Sequence, residues 1–557
     1  MQALDRQRER QELLGRISEL KLRYNALAES AVLPDELLVE IFKIYALLEI
    51  GDRRFCYSWF KITHVCRHWR DVALQAPVLW STISFAGNTK HPGRALEQLA
   101  RSGTAPLHLH IFFPKPLCSA STNLTLSIPR ARSVYFECEE TVAGLSDAAP
   151  SDAPSLSSVK MEGDFAVQLL RHCRMPRLQD AHLKAQTFSW HHGVVQPSIT
   201  KLSVRVESTF IEPVSTFIQV LQGMPLLEEL KVRGRFPRRV DSAVVPSQSV
   251  SLPHLAELEL LVGWEDWCFL DSNLDIPVTT RQHVDLSSFE LEQPEDATPI
   301  FSKLVSKLRN LTVHSHIYIQ SVTYEENLGD HQLELFTRST SAKALARGRA
   351  DAFFTISMQS CPFSDTVLLP LFHLLPLAHV TAVCISGIKC FFGDPQDTAL
   401  RQALISAMRD AAQNISTLCL VGEYPTDLAS FLVLETTVDP LQALQSGMQA
   451  EQWIMPKLQT LYLEDARFRP YGKRGKEQPS QFRTDLTEAL FNRIAAGRSV
   501  RHLILSECVG IWEEDVQIFR NILKMGCEDW KLEWDGNELE WAEDDWVYEM
   551  DDRAMEE

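Results

Sequence analysis

The sequence predicts a mixed helix-and-strand chain, with a short helical region at the N-terminus followed by a long solenoid of repeats on a parallel sheet. Three observations predict it. Two apolar patterns of helical period, bounded by prolines, fill the stretch from Pro34 to Pro77. A proline-led apolar phrase recurs in phase through the rest of the chain. Segments of helical period lie between its copies. Composition agrees: 557 residues, 45% hydrophobic and 23% charged, is ordinary for a globular protein. At about 150 residues per domain this is several domains or one elongated array.

The first helix covers residues 1–30. Leu13, Ile17, Leu20, Tyr24 and Leu27 are spaced 4, 3, 4, 3, a heptad seam. Two heptads are few for a coiled coil, so the seam is expected to pack on the rest of the protein, with self-pairing as the alternative. Pro34 ends this helix before Leu33 and suits the first turn of the next, because its missing N–H has no helical partner there anyway. Asp35 and Glu36 then meet the positive end of the helix dipole. Leu37, Leu38, Ile41, Phe42 and Tyr45 form one apolar stripe. Ile62, Val65, Cys66, Trp69, Val72 and Ala73 form a second, with Arg67, His68, Arg70 and Asp71 opposite. Pro77 closes it, and Leu79 and Trp80 follow. So small a segment cannot bury all this Leu, Phe and Trp alone, so the surplus packs on a neighbouring domain or another protein.

These residues resemble an F-box. Leu33-Pro34, Leu37-Leu38, Ile41-Phe42, Val65-Cys66-Arg67-His68-Trp69 and Leu79-Trp80 follow the family pattern in order, and the stretch from Ile62 to Ile83 is similar to F-box-like families expanded in fungi. The connection from Leu48 to Phe60 is longer and more polar than the family's. The alternative is a small helical cap on the repeats. The resemblance implies that Leu33, Pro34, Leu37, Leu38, Ile41, Phe42, Val65, Cys66, Trp69, Leu79 and Trp80 carry docking on a Skp-type adaptor, directly or by holding its helices. It further implies a substrate-recognition subunit of a cullin–RING ubiquitin ligase, with an unknown protein substrate on the repeat array. The alternative is an interaction scaffold acting outside a ligase. The expected divisions are 1–30 helix, 31–85 F-box-like domain, 105–535 repeat array and 536–557 acidic tail.

The repeat reads Pro-x-(Leu/Ile)-x-x-apolar-x-apolar. It occurs at Pro154-Leu156-Val159-Met161, Pro176-Leu178-Ala181-Leu183 and Pro197-Ile199-Leu202-Val204. It recurs at Pro225-Leu227-Leu230-Val232, Pro253-Leu255-Leu258-Leu260 and Pro456-Leu458-Leu461-Leu463. Copies without proline stand at Leu308-Leu311-Val313, Ile415-Leu418-Leu420 and Val500-Leu503-Leu505. The last two apolar positions face one side of a short strand. Helices are expected at Val214–Leu221, Leu400–Ala412, Leu486–Ala496 and Val516–Leu523. The first five prolines are 22, 21, 28 and 28 residues apart, so the array resembles leucine-rich repeats, in an irregular form without their asparagine.

Gly144–Pro154 and Asp241–Ser251 read as loops, and Gly263–Pro299 as the largest insertion. Lys231, Arg233, Arg235, Arg238 and Arg239 read as a basic loop after one strand, and Arg467, Arg469, Lys473, Arg474 and Lys476 as another. They are either separately solvated or one positive rim for an acidic or phosphorylated segment. Trp530, Leu532 and Trp534 alternate like a last strand. The final 24 residues hold 11 of the 73 acids and one base, so they carry −10 of the net −18. Trp541, Trp546 and Tyr548 lie within that tail, which is either solvated or docked on the array or a partner.

An acidic body argues against nucleic-acid binding. Twelve cysteines without a CxxC read as reduced thiols, and the N-terminus lacks the apolar core of a signal peptide, so a cytoplasmic or nuclear protein is expected. Thr366–Ile388 is long enough to span a bilayer but is broken by Pro370, Pro376, His373 and His379, so no membrane span is expected. His108/His110 and His314/His316 lack a third ligand at metal spacing and read as structural. No nucleotide-binding, hydrolase or metalloprotease motif is present, so neither cofactor nor catalytic residue is expected.

Overall fold

A computed structural model of the chain describes residues 2–27, 33–48, 57–86, 93–113, 127–138, 152–164, 174–191, 196–237, 249–286, 302, 305–306, 320–327, 330–337, 341–346, 352, 354–358, 379–386, 413–422, 455–466, 468 and 481–536. It is a mixed structure of helices and largely parallel strands in two compact units, Met1–Leu255 with Asn273–Asp275, and Ala256–Ser272 with Ile276–Glu557.

The first unit opens with α1 (Gln2–Ala26). Its seam, Leu13, Ile17, Leu20, Tyr24 and Leu27, stands 48–86% exposed, so the expected packing is not made among the described residues. Arg6 and Arg10 continue the seam as charges, which leaves only a short apolar stripe to bury. Helix α2 (Asp35–Leu48) follows, then a 3-10 segment (Tyr57–His64), α3 (Arg67–Gln75) and a 3-10 turn (Pro77–Trp80). Strand β1 (Thr82–Ala86) starts the sheet. Helix α4 (Gly93–Arg101) leads to β2 (Leu107–Phe113) and β3 (Ala131–Cys138). Next come β4 (Ser158–Glu162), β5 (Asp180–Phe188), β6 (Lys201–Phe210), α5 (Val214–Leu221) and β7 (Glu229–Arg235).

Strands β1 to β7 pair in chain order, all parallel. The repeat positions fall in register. One buried column runs Ile83, Leu109, Val134, Val159, Ala181, Leu202, Leu230; the next runs Phe85, Ile111, Phe136, Met161, Leu183, Val204, Val232. Each Leu, Ile, Val, Phe or Met buried this way stabilises by about 1.5–3 kcal/mol over exposure. The proline has a local cause. In each copy the leucine or isoleucine two residues later donates its N–H to the carbonyl just before the proline: Leu156 to Ala153 at 3.2 Å, Leu178 to Met175 at 3.0 Å, Ile199 to Gln196 at 3.2 Å, Leu227 to Met224 at 3.3 Å. Proline therefore holds the second position of a tight turn that aims the chain into its strand. The residue before it is buried too, as Ala153, Met175 and Met224 show.

The second unit contains β8 (Glu257–Leu261), α6 (Trp264–Asn273) up to Ser272, β9 (Arg281–Asp285), β10 (Ser321–Asn327) and β11 (Asp330–Phe336). It continues with α7 (Ala342–Ala346), β12 (Phe354–Met358), β13 (Ala382–Ser386), β14 (Thr417–Val421) and β15 (Thr460–Glu464). Helix α8 (Gln481–Ala495), β16 (His502–Ser506), α9 (Glu513–Gly526) and β17 (Lys531–Trp534) complete it. The spatial order is β8-β9-β12-β11-β10-β13-β14-β15-β16-β17, with β11 antiparallel to both its neighbours and the other pairings parallel.

Gly263–Pro299 is therefore not a plain insertion. It contains α6, and β9 pairs with strands on both sides because Gln282 and Val284 continue the columns of Leu258 and Leu260. The observed α5 coincides with the expected helix, and α8 and α9 contain most of the residues expected in theirs; Leu400–Ala412 lies outside the described residues. Leu308-Leu311-Val313, the body of both expected loops, His314/His316 and the tail beyond 536 also lie outside them. Leu532 and Trp534 are half-buried on edge strand β17, and Thr366–Ile388 contributes β13. Among the described residues no helix is long and apolar enough to cross a membrane.

Candidate functional site

The N-terminal helices divide their apolar residues between an inside and an outside. At 3.6 residues per turn, about 100° separates one residue from the next. Leu38 and Phe42 fall on one side of α2, and Leu37, Ile41 and Ile44 fall roughly a quarter-turn away. Leu38 and Phe42 are buried with Trp59, Ile62, Val72, Ala73, Leu79 and Trp80. Leu37, Ile41 and Ile44 remain 51%, 47% and 58% exposed. The single stripe expected for α2 is thus twice as wide as its own core can cover.

Pro34 sits just before α2 rather than inside its first turn, and its carbonyl accepts from the N–H groups of Leu37 and Leu38, both at 3.1 Å. The second expected stripe is interrupted at Cys66, which caps α3: its Sγ accepts from the Trp69 N–H at 3.4 Å. That break turns Val65 outward, 58% exposed, instead of into the core. Trp69 remains half-buried and packs at 5.1 Å, centroid to centroid, from Phe42. Trp80 is fixed by its indole N–H, which donates to the Ala73 carbonyl at 2.8 Å. Arg70 Nε donates to the Thr63 carbonyl at 2.7 Å, which ties α3 to the 3-10 segment.

Two core residues escape the sequence reading. Trp59 and Phe60 end what reads as a polar connection, yet their rings pack 5.3 Å and 5.5 Å from Trp80. Adjacent aromatics in a polar stretch were the available signal.

The first unit's sheet has a second, polar face. His108 and His110 lie on it together, as strand alternation requires. His108 Nδ1 is 2.7 Å from Ser133 Oγ. Burial, with Arg132 nearby, lowers the pKa of His108, and burial with the neighbouring His108 lowers His110 to about 4, so the His110 ring is neutral at pH 7. The Tyr135 hydroxyl donates to Glu137 Oε2 at 2.6 Å, and burial with these carboxylates raises its pKa. Lys160 lies 4.7 Å from the Tyr135 ring centroid and 3.1 Å from Glu162. Lys184 pairs with Glu207 at 3.2 Å and holds that carboxylate below its usual range.

The expected basic loop after β7 is instead part of the strand. Lys231, Arg233 and Arg235 lie within it, on the side away from the core, because the strand continues through Gly234. At φ +151 this glycine lets β7 approach β6; a Cβ there would sit 2.9 Å from the Phe210 ring and 3.1 Å from the Val206 carbonyl. Lys231 pairs with Glu229 at 3.0 Å. Arg238, Arg239, Arg467, Arg469, Lys473, Arg474 and Lys476 lie outside the described residues, so one shared rim is not described. Among the described residues no three His, Cys, Asp or Glu side chains converge as a metal site.

A family model described as F-box-like matches residues 30–86. This is the segment whose helices carry the divided apolar face, and residues 30–86 are an F-box-like domain, a module of protein interaction. No curated protein matches the chain.

Proposed function

We propose that this chain is the substrate-recognition subunit of a Skp–cullin–F-box type ubiquitin ligase. F-box domains typically bind a Skp-type adaptor, and the observation that carries the reading is the uncovered row Leu37, Ile41 and Ile44 on α2, with Val65 and Pro34 exposed as well. A packed helix that exposes three branched apolar residues in line is finished by a partner, since soluble surfaces seldom leave such patches open. Leu33, Cys66 and Trp69 sit at the margin; Leu38, Phe42, Leu79 and Trp80 support the helices from within.

The in-register columns support an irregular leucine-rich-repeat-like array, and the polar face of β2–β7 is the surface on which a protein substrate would lie. The chain itself makes no bonds. It raises the local concentration of substrate lysines near a partner's active site. Such a ligase works in the cytoplasm or nucleus.

Co-purification tests this. The wild-type chain should recover both the Skp-type adaptor and a cullin. Leu37→Ala/Ile41→Ala should lose both while leaving the melting temperature unchanged, because those side chains are already exposed. Recovery of the adaptor without cullin favours the scaffold reading, and recovery of neither by the wild type sinks both.

A further inference from the structure

Among the described residues nothing covers the seam of α1, and Leu14 beside it is exposed as well. At 25 residues, α1 exceeds the about 12–15 at which a lone helix is marginal, so it can stand clear of a core. Five apolar side chains aligned in water are nevertheless unfavourable, and a matching helix removes that cost.

The spacing 4, 3, 4, 3 places Leu13, Leu20 and Leu27 at heptad position d, and Ile17 and Tyr24 at a. Arg6 and Arg10 then take the preceding d and a positions. Glu9, Arg16 and Arg23 fall at g, and Gln7, Leu14 and Lys21 at e. These charges discriminate between the ways a second copy could lie on the seam. A parallel copy sets each layer against itself, so Arg6 meets Arg6 and Arg10 meets Arg10, while Arg16 meets Lys21 across the flank.

Reversing the second copy about a point between Ser18 and Glu19 removes most of this repulsion. Leu13 then lies opposite Tyr24 of the other copy and Ile17 opposite Leu20, and both layers recur beyond the axis. Arg10 falls opposite Leu27, where its aliphatic stem covers the leucine and its guanidinium reaches water. Arg6 passes the end of the other copy's seam. Leu14 faces the stem of Lys21. One kind of like-charged contact remains, Arg16 with Arg23, and there Glu19 already holds Arg23 at 2.9 Å. The seam is thus complementary to itself under a two-fold axis, which is the condition for an isologous pair.

We propose that two copies of this chain associate through an antiparallel pair of α1 helices. Four apolar layers, closed at each end by a Leu27–Arg10 layer, make a short interface, so the association is weak and depends on concentration. Because α1 directly precedes α2, the pair carries two docking rows and two arrays. Under the proposed function, a substrate with two recognition segments gains avidity from such a pair. The pairing itself does not depend on that function.

Sedimentation velocity of the full chain from about 1 to 100 μM tests this. The mass should rise from 63.3 kDa towards twice that value. Leu20→Glu puts a charge into two central layers and should weaken association at least about tenfold. The melting temperature of the single copy should not fall, since Leu20 is exposed there. Arg16→Glu makes the contact with Arg23 attractive and should tighten association severalfold, a gain that misfolding cannot mimic. Lys21→Glu should leave it unchanged. Leu37→Ala/Ile41→Ala should also leave it unchanged, which separates this result from the co-purification. A chain that stays monomeric at every concentration overturns the proposal, as does a dimer indifferent to Leu20→Glu or lost on Leu37→Ala/Ile41→Ala. Tightening by Lys21→Glu would assign a parallel pair and overturn the antiparallel one.

Discussion

The first unit's sheet and the middle strands of the second unit's sheet are built from the same repeat phrase but treat the second face of the sheet differently. In the first unit, strands β4 to β7 alternate between buried and open positions over their repeat positions, for example Leu202 and Val204 inward with Ser203 and Arg205 outward, and β5 and β6 lose the alternation only near their ends. In the second, β13 and β14 read Ala-Val-Cys-Ile-Ser and Thr-Leu-Cys-Leu-Val, and Cys384 and Cys419 are buried on the face that should be open. Helix α7 accounts for the difference. Its Ala342 and Leu345 pack with Phe336, Cys384, Cys419 and Tyr462 in one cluster. Sheets covered on both sides lose alternation and become apolar throughout, whereas one-sided sheets keep it. The lesson is that one local phrase serves both an open, polar surface and a sealed one. What the outward residue is, not the phrase, tells them apart.

The largest effect should come from charging the sealed face. Cys419→Asp buries an unpaired carboxylate and should cost about 3–5 kcal/mol, measured by equilibrium denaturation. Ser203→Asp on the open face should cost under about 0.5 kcal/mol. Comparable costs would break the comparison. Next, truncating the shared inward position should hurt both units alike: Leu202→Ala and Leu461→Ala should each lose about 2–5 kcal/mol, and a loss confined to one unit would show that the columns are not equivalent.

The smallest effect is acid sensitivity of the first unit. His110 is held at about pKa 4 when folded, against about 6.5 unfolded. The unfolded chain therefore binds the extra proton first, and stability present above about pH 6.5 falls as pH drops towards 4. The loss should be on the order of 1 kcal/mol after allowance for solvent screening. His110→Gln should flatten the dependence between pH 7 and 5, and an unchanged slope would remove His110 as its source.

Much of this was legible in sequence because its causes are local. Proline two residues before leucine sets a turn, alternation sets a strand face, and Pro34 sets a helix start. Copies that lacked the proline were harder to see. Trp80-Ile83-Phe85, Ala131-Val134-Phe136 and Val380-Val383-Ile385 repeat the 3-then-2 spacing with buried side chains but without the turn signal. The start of the second F-box-like stripe departs from its expected helix for a similar reason: Cys66 caps α3 through its thiol, so the helix begins only at Arg67, and cysteine is not read as a capping residue.

The amino-acid order by itself determined the early helices, the repeat and its phase, since each depends on neighbours within a few residues. Only the tertiary structure decided which apolar residues are covered. Leu37 and Leu38 are adjacent, equally apolar and in one helix, yet one is half exposed and the other fully buried. Burial depends on what arrives from distant parts of the chain: Trp59, Val72 and Trp80 reach Leu38's side of α2 and none of them reaches Leu37's, just as α7 covers Cys384 and Cys419 on a face that alternation alone would leave open.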